Sequence, residues 1–111
     1  YNGNSNSFIF KVLDYIENNY ADGNLTQLSE LTFYDVNALS KQIKHLTGKN
    51  YTQLVQEKRL SKACSLLKNT DMGIKEIAHQ IGYDNISYFH RLFLKNFDMS
   101  PKKYRDLEKK I

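Results

Sequence analysis

The feature that most constrains this chain is a unit written twice. In its clearer copy, a short apolar segment from about Ile74 to Ile81 runs into Gly82. A polar turn follows, and then an aromatic, amphipathic segment from Ile86 to Phe97. In the other copy a segment from about Leu25 to Leu31 leads through a turn to Val36–Thr47. Leu28-Ser29 stands to Leu39 as Ile77-Ala78 stands to Phe89, with ten positions from Ser29 to Leu39 and eleven from Ala78 to Phe89. Apolar residues three and four apart make each segment a helix with one buried stripe. A duplicated pair of short helices folds as two small helical subdomains, not as a sheet or a single long bundle.

The remaining segments fit between and around these copies. Phe8, Ile9, Val12, Leu13, Ile16 and Tyr20 predict a first helix that stops near Asp22-Gly23. Asn24-Leu-Thr-Gln27 and Asn50-Tyr-Thr-Gln53 both read as capping boxes, and Asp35 is a candidate N-cap. Asn50 opens the longest helix, about Tyr51 to Lys68, which Asn69-Thr70-Asp71 breaks. Ser100-Pro101 places an N-cap before a proline at the first helical position, starting a last helix to about Lys109. The expectation is an all-α fold of seven helices, two helix-turn-helix subdomains joined by a long connecting helix. Its boundaries are a polar linker over 1–7, a first subdomain over 8–48, the connecting helix over 49–70 and a second subdomain over 71–111. The first residue is Tyr, and the opening Tyr-Asn-Gly-Asn-Ser-Asn-Ser is linker-like. We therefore expect a companion domain preceding it in a longer protein.

Charge is divided unevenly along the chain. Residues 1–40 hold one basic and five acidic residues, a net −4, whereas residues 41–111 hold fifteen basic and seven acidic, a net +8. A basic region on a small domain favours a polyanionic partner, although a solvated face has the same composition. The major groove of B-DNA admits one α-helix. Such a helix needs an apolar face for its partner helix and a polar face for base edges. In the segment 86–97, Phe89, Leu92, Phe93 and Phe97 form the apolar face, which leaves Ser87, His90 and Arg91 for bases and Lys95 for phosphate.

The residues Ile77, Ala78, Gly82, Tyr83, Ser87, Tyr88, Phe89, Arg91, Phe93, Ser100, Pro101, Tyr104 and Arg105, at these offsets, resemble the second helix-turn-helix of AraC/XylS-type transcription regulators. Arg59-Leu60, Ala63, Leu66-Leu67 and Thr70 match the linker helix of that family, and the resemblance covers about residues 8–108. It implies sequence-specific binding to double-stranded promoter DNA, with each recognition helix in one of two successive major-groove segments about 34 Å apart. It implies base contacts from Asn37, Ser40 and Lys41 in the first copy, beside Ser87, His90 and Arg91 in the second. Lys44, Lys75, Lys95, Lys102 and Lys103 are expected at the DNA backbone. Helix N-termini near Leu25, Ile74 and Pro101 offer N–H groups for phosphates. RNA polymerase is an expected partner, the role expected is that of an activator, and the location is the bacterial cytoplasm, at the nucleoid. The first copy departs more from the family pattern, with Ser29 for a small alanine and Thr32-Phe33 out of apolar phase. Asp98 stands where glycine is common before Met-Ser-Pro.

Competing readings stay open at several positions. The alternative function is a helical protein-interaction module whose basic face docks an acidic partner, with the acidic first helix as a further surface. Phe33 and Tyr34 are expected to pack the second and third helices together. Arg105 either adds charge at the DNA or pairs with an acid or a helix end. Cys64 is a small packing residue or a redox sensor. His45, His79 and His90 lack metal-ligand spacing, so neither metal nor cofactor is expected. No nucleophile set or phosphate-binding glycine loop argues for an enzyme. No apolar run approaches a membrane span.

Overall fold

The computed structural model describes residues 3–109, with side chains from residue 7 onward. Its helices are α1 (Gly3–Asn19), α2 (Leu25–Thr32), α3 (Val36–Thr47), α4 (Tyr51–Asn69), α5 (Ile74–Gln80), α6 (Ile86–Phe97) and α7 (Pro101–Lys109). No strand occurs among the described residues, and none of their helices is long and apolar enough to cross a membrane. The chain divides into two compact units, one ending at Lys58 and the other beginning at Arg59, so the division falls inside α4. Helix α1 takes in residues 3–7, which composition assigns to a linker; residues 1 and 2 lie outside the described residues.

In the first unit, Phe8, Val12, Tyr15 and Ile16 of α1 pack with Leu28 of α2 and with Leu39 and Ile43 of α3. Tyr51, Leu54 and Val55 from the start of α4 pack against that cluster. Burying a side chain of this size contributes roughly 1.5–3 kcal/mol, so these few residues hold three helices together. Tyr15 does more than fill space. Its hydroxyl accepts from the Asn24 backbone N–H at 2.9 Å and donates to Gln27 Oε1. The capping box at α2 is therefore only half formed. Asn24 Oδ1 accepts from the Gln27 N–H at 2.8 Å, but Gln27 turns to Tyr15 instead of returning to Asn24. At α4 both arms form: Asn50 Oδ1 accepts from Gln53 N at 2.8 Å, and Gln53 Oε1 accepts from Asn50 N at 2.9 Å.

In the second unit, Leu60, Ala63 and Leu67 of α4 are buried, as are Ile77 and Ala78 of α5 and Phe89, Leu92 and Phe93 of α6. Phe93 meets Phe97 at 4.5 Å and Tyr104 at 5.6 Å between ring centroids, so α6 and α7 share an aromatic contact. Arg105 closes the unit. Its guanidinium donates to the carbonyls of Leu67 at 3.0 Å, Thr70 at 3.3 Å and Met72 at 2.7 Å. The last carbonyls of a helix have no partner within it. Arg105 supplies that partner for the end of α4, which decides between its two readings in favour of the helix end.

Candidate nucleic-acid interface

Each recognition helix is fixed at its start by one short side chain. Asp35 Oδ1 accepts from the Ala38 N–H at 2.9 Å to begin α3, and Asn85 Oδ1 accepts from the Tyr88 N–H at 3.0 Å to begin α6. The Asn85 cap hides in the polar turn of the sequence, where several residues could serve. Once α3 starts at Val36, Leu39 and Ile43 fall on its buried stripe, and the opposite side is set by the turn of about 100° per residue. Asn37, Lys41 and Lys44 are exposed there, and Ser40 is half-buried at the edge. In α6, Phe89, Leu92 and Phe93 are buried, while Ser87, His90, Arg91 and Lys95 are exposed. The Arg91 guanidinium lies 6.0 Å from the centroid of the Tyr88 ring, within range of a cation–π contact.

The turns differ between copies. Between α2 and α3, Phe33 adopts φ 63° in the left-handed region and is 96% exposed. The Ser29 hydroxyl donates to the Tyr34 carbonyl and closes this turn, a bond that the usual alanine could not make. The expectation that Phe33 and Tyr34 pack α2 against α3 is thus corrected. Phe33 points into solvent, because a left-handed residue two positions before the cap turns its side chain away from both helices. Tyr34 is exposed as well, and its ring rests 4.8 Å from that of Phe8 on α1. Between α5 and α6 the left-handed residue is Gly82, at φ 107°. Gly82 N–H donates to His79 O at 3.1 Å and Tyr83 N–H to Ala78 O at 2.8 Å, a Schellman end to α5. Helix α5 accordingly stops at Gln80, with Ile81 as its cap instead of its last residue. The extra position in this copy and the earlier helix end together make the second turn longer.

The cations sort into two groups. Lys49, Lys58, Lys68 and Lys109 pair with Glu57, Glu17, Glu108 and Asp71. Lys109 holds the Asp71 carboxyl below its ordinary range, through a hydrogen bond first and charge second. Among the described residues, Lys41, Lys44, Lys75, Lys95, Lys102 and Lys103 pair with no carboxylate. Sequence reasoning places these six at DNA; Lys11 and Lys62, which it does not, likewise pair with no carboxylate among the described residues.

Of the three helix N-termini expected to meet phosphates, two have one N–H each taken by a capping side chain. Asn24 caps α2, and Ser100 Oγ accepts from the Lys103 N–H at 3.1 Å at α7; Gly73 gives α5 no side-chain cap. His79 faces solvent with Nδ1 3.3 Å from Asp84. Burial pushes the half-buried Cys64 thiol up, the reverse of the shift that makes a reactive thiolate. Burial and a hydrogen bond with Cys64 push Tyr104 up to about 12.

Comparison with known proteins defines the class. The family model of a helix-turn-helix domain matches residues 28–107. The xylose operon regulatory protein of Escherichia coli K12 is 30% identical over 104 residues, covering 93% of this chain and 26% of that protein. The HTH-type transcriptional activator Btr of Bacillus subtilis is 36% identical over 90 residues, 79% of this chain and 17% of that protein. A DNA-binding transcriptional dual regulator from Escherichia coli K-12 superposes with a TM-score of 0.84 at 26% identity, covering 94% of each chain. The chain belongs to this helix-turn-helix family, as an AraC/XylS-type DNA-binding domain of transcription regulators. It spans about a quarter or less of the length of these curated relatives.

Proposed function

We propose that α3 reads base edges through Asn37, Ser40 and Lys41, and that α6 reads them through Ser87, His90 and Arg91. Lys44, Lys75, Lys95, Lys102 and Lys103 neutralise phosphates along the same duplex. Two different readers in one chain fit two major-groove segments of an asymmetric site. The observation that carries this is that every lysine assigned to DNA is free of carboxylates, so each reaches phosphate without first breaking an ion pair. Within the longer protein we infer activation of transcription through RNA polymerase, in the cytoplasm, with a companion domain beside this one. The relatives' greater length and the activator named among them support that reading.

Selection of bound sequences from a random duplex pool, followed by titration of the winner against salt, tests the proposal. One sequence class is expected to be enriched, and log K is expected to fall with log salt. Five phosphate contacts give a slope of roughly −4 to −5 in B-DNA. Arg91→Ala is expected to relax preference at one base pair by about 1–3 kcal/mol and leave the salt slope intact. A flat salt dependence would overturn the phosphate assignments, and unchanged base preferences in Arg91→Ala would overturn the reading of α6. Failure to bind any duplex at low salt would favour the protein-interaction module.

A further inference from the structure

Leu94 is 54% exposed, although the apolar residues Phe89, Leu92 and Phe93 of the same helix are buried. Helical geometry fixes where it points. Ser87, Arg91 and Leu94 are spaced by four and three residues, so they lie within roughly 60° of one another, and Leu94 lies roughly 140° from Phe89. An apolar side chain therefore stands in the middle of the stripe assigned to bases. An isobutyl group makes no hydrogen bond to a base edge and gains nothing beside a phosphate. The major groove offers such a group one apolar partner, the C5-methyl of thymine.

We infer that Leu94 is a specificity-determining residue that packs on a thymine methyl in the groove segment read by α6. The inference rests on the reading of α6 as a base-contacting helix. The first copy sharpens it. Lys44 follows Leu39 by five positions, as Leu94 follows Phe89. At this place α3 carries a cation suited to phosphate, and α6 carries a group that recognises a methyl. The second copy so gives up one non-specific contact for one that discriminates between bases.

The test uses the selected duplex, with each thymine replaced in turn by uracil, which removes the methyl and nothing else. Wild type is expected to lose affinity about fourfold at one thymine, the effect of leaving one methyl unburied. Leu94→Ala is expected to bind the thymine and uracil forms of that site equally, and Leu94→Met to restore the preference. Circular dichroism of both variants should match wild type, because the replaced side chain is outside the core. If Leu94→Ala keeps the full uracil penalty, or if no uracil weakens wild type, the inference is overturned while DNA recognition stands. If wild type enriches no sequence at all, the reading of α6 and this inference fall together.

Discussion

The two helix-turn-helix copies place their left-handed residues at the same two points but spend glycine differently. In the first copy the turn residue is Phe33 and the recognition helix ends at Gly48, at φ 63° and 76°. In the second the turn residue is Gly82 and the end is Asp98, at φ 107° and 57°. Each copy carries one glycine and one residue that resists the conformation. The copies are also held by different devices. The first depends on a buried tyrosine hydroxyl shared between α1 and the start of α2. The second depends on a guanidinium that caps α4 from α7. Duplication preserved the backbone path and left each copy to find its own way of satisfying it.

The sharpest way to separate the two devices is to remove them. Arg105→Ala strips three backbone carbonyls of a charged donor, and hydrogen bonds to charged groups contribute about 1.5–3 kcal/mol. We expect a loss of about 2–3 kcal/mol in urea unfolding, with faster amide exchange concentrated in α5–α7. Tyr15→Phe leaves the Asn24 N–H without its acceptor and should cost less, about 1–2 kcal/mol, with faster exchange in α1–α3. Equal exchange changes in both units from either variant would dissolve the contrast. The same comparison separates Arg105 from the DNA surface: at a temperature where the variant is folded, its salt slope should equal that of wild type.

Next comes the turn. Gly82→Ala places a side chain at φ 107°, where L-residues are strained, and is expected to destabilise by about 2 kcal/mol. Phe33→Gly runs the experiment in reverse. The Phe33 side chain is 96% exposed, so its loss removes little packing, and relief of the left-handed strain should stabilise by about 1 kcal/mol. Thermal unfolding of both reads the sign directly. A destabilised Phe33→Gly would mean that the aromatic ring contributes to the fold in a way its exposure does not reveal.

These cases also show what a sequence discloses. The caps at Asn24, Asp35, Asn50 and Ser100 were legible because each is one side chain reaching a backbone N–H three residues on. The exposed faces of α3 and α6 were legible for a similar reason, since periodicity around Leu39, Ile43, Phe89 and Phe93 decides what is left outside. The Tyr15–Gln27 bond was not, because its partners are twelve positions apart and nothing local favours it over the standard capping box. The carbonyls that Arg105 reaches lie 33 to 38 positions away, so its type alone could not decide between charge at DNA and pairing with an acid or a helix end. Phe33 misled for a different reason. An aromatic residue reads as core, but a residue locked in a left-handed turn must follow its backbone.

The smallest expected effect tests the other half of the glycine exchange. Asp98 caps α6 in the left-handed conformation, with its N–H donating to Leu94 O at 2.8 Å. Gly48 does the same for α3, its N–H donating to Lys44 O at 2.9 Å. Aspartate tolerates this region better than phenylalanine, because its short polar side chain can bond locally to the backbone. Asp98→Gly should therefore gain only a few tenths of a kcal/mol, well below the gain at Phe33. The aspartate also places a negative charge at the helix C-terminus, where the macrodipole disfavours it, so some of that gain should fade as salt rises. Melting curves at low and high salt separate the two contributions. A gain as large as that of Phe33→Gly would show that backbone strain is set by position in the motif, whatever residue occupies it.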